Sequence, residues 1–294
     1  MVAETHLNAA EDPHRTIGTE GGEMTGEVGR RLYTHHWMPS SPVPGRRPVI
    51  IVHGFGEHLG RYGHVSRALA GAGHEVWALD LRGHGRSEGP RADVGSLGTV
   101  LASVDELVAR VGRAAKGPTL PVLFGHSMGG AFAAAYSTAN SDKLGGLVLS
   151  APAVHLALRP TWQGTAVAAL ARLAPRAGVG RIDPADLSHD PAAVRAFVQD
   201  SLVWHGRVPA RTAVAMYDAG RCAFSAAPLI RLPVYVVQGE DDRIVPMAST
   251  ARLFHALGSE DKELVVLEKC FHEPHHETIR EGVLGGLLTW LGRR

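Results

Sequence analysis

The sequence predicts an α/β protein with a mostly parallel central sheet flanked by helices, and three observations carry this. Short, apolar, β-branched runs recur along the chain. Segments whose apolar residues follow helical spacing lie between them, and strand alternating with helix implies a parallel sheet joined by crossover helices. Finally, 294 residues of which 45% are hydrophobic suffice for one large core plus an insertion.

Taken in order, residues 1–20 are polar and acidic with nearby glycine and proline, which predicts a flexible tail. The run "RLYTHHW" at 31–37 is a first strand, ended by the prolines of "MPSSPVPGRRP". Next, "VIIVHG" at 49–54 is apolar on both faces and too short for a helix, as a buried strand should be. The same pattern returns in "HEVWALD" at 74–80, "PVLFGHS" at 121–127, "LGGLVLS" at 144–150, "PVYVVQG" at 233–239 and "ELVVLE" at 263–268. Val65, Leu69 and Ala72 mark one helix, and Val100, Val104, Leu107, Val108 and Val111 another. From Pro152 to Pro228 the rhythm breaks into Ala-rich, proline-punctuated pieces without a strand-like run, which predicts a helical insertion. The expected organisation is therefore a tail at 1–20, a core at 21–151 and 229–294, and an insertion at 152–228. Inside the insertion, Trp162, Ala166, Leu170 and Leu173 share a helical face. Packing against the sheet domain is the expectation for that stripe, with lipid contact as the alternative.

Formal charge sums to +1 with no charge run, which argues against a nucleic-acid surface or an acidic partner. Cys222 and Cys270 form no disulfide framework and suit a reducing compartment. No basic start with an apolar core is visible near Met1, and the most apolar window, 165–174, falls short of the ~20 residues of a membrane span. These features predict a cytoplasmic protein.

The stretch "VLFGHSMGGAFAA" at 122–134 carries the chemistry. Gly125 and Gly129 flank Ser127 at two-residue spacing, after a strand and before a helix, the context in which G-x-S-x-G places a nucleophile on a tight turn. Such a turn also aims free helix N–H groups at whatever the serine attacks. A serine hydroxyl needs a base and an orienting acid, which in this architecture follow it in the order acid, then histidine. "VVQGEDDRIVP" offers Asp241 and Asp242 after one strand, and "VVLEKCFHEPHHE" offers His272 after the last.

Together "HGFGEHLGRYGHV", "ALDLRGHGRSEGPRADV", "GHSMGG", "LSAPAV", "DSLVWHGRVPA", "GEDDRIVP" and "CFHE" resemble the monoacylglycerol lipase and lysophospholipase group of serine α/β-hydrolases, from about Thr34 to the C-terminus. The resemblance implies the α/β-hydrolase fold, with Ser127 as nucleophile, Asp242 as acid with Asp241 its rival, and His272 as base. It also implies an oxyanion hole from the backbone N–H groups of Phe55 and Met128, and a helical cap at 152–228 over an acyl pocket. The substrate implied is a lipophilic ester, a monoacylglycerol first. Lysophospholipase, general carboxylesterase, acyltransferase and non-catalytic ligand-binding roles are the alternatives. No cofactor or metal is implied, and the cap is the surface for any transient membrane contact.

Residues 272–276 also satisfy H-E-x-x-H, a zinc-site pattern, but Pro274 interrupts the helical turn that it requires. Adjacent residues on a turn point apart, so His126 is expected to be structural. His53, Glu57, His58, Asp80, Arg82 and His84 are expected to pin loops around the site.

Overall fold

The computed structural model describes residues 18–26, 29–114, 119–158 and 161–294. The strands are β1 (Gly18–Thr25), β2 (Arg31–Met38), β3 (Val49–Val52), β4 (Val76–Leu79), β5 (Val122–His126), β6 (Gly146–Ser150), β7 (Gly178–Gly180), β8 (Val208–Pro209), β9 (Val234–Gly239) and β10 (Lys262–Leu267). Eight of them form one sheet in the order β1-β2-β4-β3-β5-β6-β9-β10. The first two pairings, β1 with β2 and β2 with β4, are antiparallel, and every later one is parallel.

Helices α1 (Gly63–Gly71), α2 (Leu97–Ala114), α3 (Met128–Asn140), α4 (Thr161–Leu173), α5 (Pro191–Gln199), α6 (Ala210–Ala226), α7 (Met247–Ala256) and α8 (Arg280–Gly292) complete the α/β architecture. The central strands are apolar on both faces because helices cover both. Ile50, Val52 and Leu123 pack with the apolar stripe of α2 and with α3, whereas their neighbours Val49, Ile51, Val122 and Phe124 pack with α1 and α8. This two-residue alternation splits one short strand between two cores.

The N-terminal tail expected over 1–20 differs at its end, since Gly18, Thr19 and Glu20 belong to β1; residues 1–17 lie outside the described residues. Segment 152–228 holds α4, α5 and α6, but also a small two-stranded sheet of β7 and β8 that the sequence reading did not foresee. Helix α6 packs directly on α3, and α4 packs on α6, where a side chain at Gly164 would press on the Tyr217 ring. The α4 stripe is not core. Leu173 is 87% exposed and Leu170 36%, while Val167 and Ala168 face inward; the Trp162 side chain lies outside the described ones. Among the described residues, no helix is long and apolar enough to cross a membrane.

Candidate active site

Ser127 joins β5 to α3 at φ 51° and ψ −116°, a left-handed strain that a non-glycine residue rarely adopts. Two glycines make the turn possible. A Cβ at Gly125 would strike the Gly129 carbonyl, and a Cβ at Gly129 would strike the Val52 and His53 carbonyls of the neighbouring strand end. The serine backbone is held on both sides: its N–H donates to the Ser150 carbonyl at 2.9 Å, and its carbonyl accepts from Ala153 N–H at 2.9 Å.

His272, in the loop after β10, lies 2.8 Å from Ser127 Oγ through Nε2 and 2.8 Å from Asp242 Oδ2 through Nδ1. Asp242, after β9, is fixed from every side. Its Oδ1 accepts from the N–H groups of Ile244 and Val245 at 2.8 and 2.9 Å, and its Oδ2 accepts also from Gln238 Nε2 at 2.7 Å. Burial would drive the His272 imidazole toward neutrality, but the Asp242 carboxylate outweighs it and raises the His272 pKa above its ordinary value. Burial would likewise raise the Asp242 pKa, and His272 with the backbone donors lowers it instead. Asp241 is exposed and takes no part in this chain.

Two cavities meet at Ser127. One, of about 610 Å³, runs between α4 and α6, walled by Val167, Ala168, Val214, Met216 and Tyr217. The other, of about 40 Å³, is bounded by Gly54, Phe55, His272, Glu273, Phe197 and Trp204. Only the small one touches His272.

A model of the family described as "Serine aminopeptidase, S33" matches residues 44–279. The monoacylglycerol lipase of Mycolicibacterium smegmatis is 36% identical over 91% of this chain and 95% of its own length. The chain belongs to the monoacylglycerol lipase family of α/β-hydrolases. Among solved structures, the Paleococcus ferrophilus monoacylglycerol lipase is 32% identical, with a TM-score of 0.79 over 88% of this chain and 98% of that one. The Saccharomyces cerevisiae monoglyceride lipase, a soluble variant solved with a substrate analog, shares the fold at a TM-score of 0.83 and 20% identity, covering 99% of both chains.

In this family member, a carboxylic ester hydrolase, a buried network surrounds the site that sequence reasoning only partly anticipated. The loop residues named from sequence do brace it. His53 Nε2 accepts from Leu81 N–H at 2.9 Å, Asp80 accepts from Leu59 and Arg86 N–H, and His58 pairs with Asp200 at 2.8 Å. Glu57 Oε1 accepts from Gly54 N–H and from the Tyr62 hydroxyl, each at 2.6 Å, which fixes the loop leading to Phe55. Arg61, Gln238 and Glu273 were missed. Arg61 donates to Glu57 at 3.1 Å and to Glu273 at 2.6 Å, so one buried guanidinium ties the Phe55 loop to the His272 loop. Burial would raise the Glu57 carboxyl, but the neighbouring His126 imidazole and the Arg61 guanidinium bring it down to about 2. Burial holds the Glu273 carboxyl up at about 7, against the pull of Arg61.

His126 turns away from Ser127 toward Ser150, 3.1 Å from its carbonyl, and burial lowers its pKa to about 3. The H-E-x-x-H segment is not an α-helix: Pro274–His276 form one 3-10 turn, with His272 committed to Ser127 and Asp242.

Proposed function

We propose that this hydrolase cleaves a monoacylglycerol to a fatty acid and glycerol through an acyl-Ser127 intermediate. The observation that carries the reading is the hydrogen-bonded chain Ser127–His272–Asp242 at the meeting point of two unequal cavities. His272 Nε2 takes the serine proton as Oγ attacks the ester carbonyl, and Asp242 holds the imidazole and steadies its positive charge. The same nitrogen must then hand its proton to the leaving oxygen. That requirement puts the alcohol in the small cavity, which His272 lines, and the acyl chain in the large one. Water activated by His272 afterwards releases the acid.

The N–H groups of Phe55 and Met128 are proposed to hold the oxyanion. Phe55 lines both cavities, and Met128 opens α3, where a helix leaves its first N–H groups unpaired. A donor of this kind is worth ~3–4 kcal/mol in the transition state. Residues 152–228 are proposed to act as a cap over the acyl cavity, with the exposed Leu170 and Leu173 meeting dispersed lipid.

Acid release from a panel of monoacylglycerols, lysophospholipids, short-chain esters and an aminoacyl amide tests the substrate class; the amide tests for aminopeptidase activity. Rate at low substrate should rise with acyl length, since each buried methylene gains ~0.8 kcal/mol, and level off when the cavity is full. A flat profile would reduce the reading to a general esterase. Product analysis with an added alcohol separates hydrolysis from acyl transfer.

A further inference from the structure

We infer that Glu273 selects the leaving group: its free carboxyl oxygen, Oε1, pairs with a hydroxyl of the departing polyol, so the site favours glyceryl over simple alkyl esters. This rests on the ester-hydrolase reading of the same site. Glu273 is 3% exposed, follows His272 in the chain, and lines the small cavity beside it. Its Oε2 accepts from Arg61 at 2.6 Å, while Oε1 has no partner among the described residues.

Other polar side chains of that wall each have a partner for at least one atom. Glu57 accepts from Gly54, Arg61 and Tyr62, His126 faces Ser150, Trp204 Nε1 donates to the Arg207 carbonyl, and His205 reaches the Asp200 carbonyl. Arg181 stands at the exposed rim, where water serves it. An acceptor that lines such a cavity can take a hydrogen bond from what fills it, and a site built to hydrogen-bond a hydroxyl discriminates strongly against an analogue that lacks it. A methyl or ethyl leaving group has no further hydroxyl to offer, whereas glycerol has two. Size agrees: about 40 Å³ is room for roughly three waters at ~10–15 Å³ each, suited to a small polyol and not to a bulky phosphorylated head group. With its carboxyl held near neutrality by burial, at about 7, Glu273 can accept from a hydroxyl when ionised and donate to one when protonated.

The test compares kcat/KM for a monoacylglycerol and for the methyl ester of the same acid, in wild type, Glu273→Met and Glu273→Gln. The glyceryl-to-methyl ratio should fall about tenfold or more in the methionine variant, with partial recovery in the glutamine variant, which keeps polar atoms but no charge. Covalent labelling of Ser127 by a small phosphonate reports whether each variant retains a reactive site. An unchanged ratio in a labelled variant, or a parallel fall on both esters, overturns the inference and leaves Glu273 as a brace for Arg61. A wild type that cleaves both esters without preference overturns it too. A wild type that cleaves neither overturns the ester-hydrolase reading itself.

Discussion

Asp241 and Asp242 are chemically identical neighbours, yet only one can orient His272. The turn decides: Ile244 and Val245 N–H groups capture Asp242 Oδ1 and leave Oδ2 directed at the imidazole. Asp242→Asn should therefore lower ester turnover by about 10⁴-fold, the scale of loss when a triad aspartate becomes asparagine, and Asp241→Asn far less. Steady-state kinetics of the two variants check the ranking, and the reverse order would reassign the acid. Ser127→Ala should abolish turnover and phosphonate labelling together while the fold persists. The pH profile follows from the His272 shift. The proposed base must be neutral to act, and the His272 pKa is raised, so kcat/KM should fall on the acid side with a midpoint above the ordinary histidine value of ~6.5. A midpoint well below that value would contradict the Asp242 pairing. At this scale the sequence displayed the serine and histidine plainly, because their motifs are local. Arg61 and Glu273 stayed hidden because their pairing spans 212 positions, and nothing local in "GRYGH" or "FHEP" announces it.

Helix α4 shows how an element can carry a pattern without its expected meaning. Its apolar residues recur all round, a pattern that predicts packing, yet α4 spends its inward face on a cavity wall and leaves Leu170 and Leu173 outside. Replacing Leu173 by Asp should leave hydrolysis of a soluble short-chain ester within about twofold, because an exposed site tolerates a charge. Hydrolysis of a dispersed long-chain monoacylglycerol should drop several-fold more. Equal rates on both would remove lipid contact from the role of this helix. The strands that were missed are explained by their residues. β1, "GTEGGEMT", is largely exposed and glycine-rich, without the alternation that marks a half-buried strand. β7 and β8 are only three and two residues long, and they pair across a gap no periodicity can bridge. The 3-10 turn at Pro274–His276 gives a further expectation: a strong chelator should leave ester hydrolysis intact. Loss of activity restored by zinc would reverse that view.

Across the whole molecule, the histidines set the response to acid. His53, His84, His126 and His275 are buried and His276 half-buried, all with lowered pKa values, those of His84 and His126 falling to about 3. Each is neutral in the fold but takes a proton once unfolded below its ordinary pKa of ~6.5, so the stability they allow is complete above that pH and is lost as pH falls. His272 and Glu273, whose pKa values are raised, have the opposite sign and lose their contribution as pH rises. Every proton taken up on unfolding steepens the dependence by about 1.36 kcal/mol per pH unit. Thermal melts should be nearly level above about pH 7 and fall sharply between ~6.5 and 5. His275→Phe should make that fall shallower, since the ring stacks on Tyr62 and neither of its nitrogens has a partner among the described residues. An unaltered slope would show that this histidine does not titrate on unfolding. Helix α6 has a consequence for redesign. Ala215, Ala219 and Ala223 lie in the core that includes α3, whose first residue follows Ser127, while Val214, Tyr217 and Arg221 of the same helix line the large cavity. Under the proposed reading, adaptation to a new acyl chain can proceed along one stripe of a single helix while Ser127 keeps its foundation on the other.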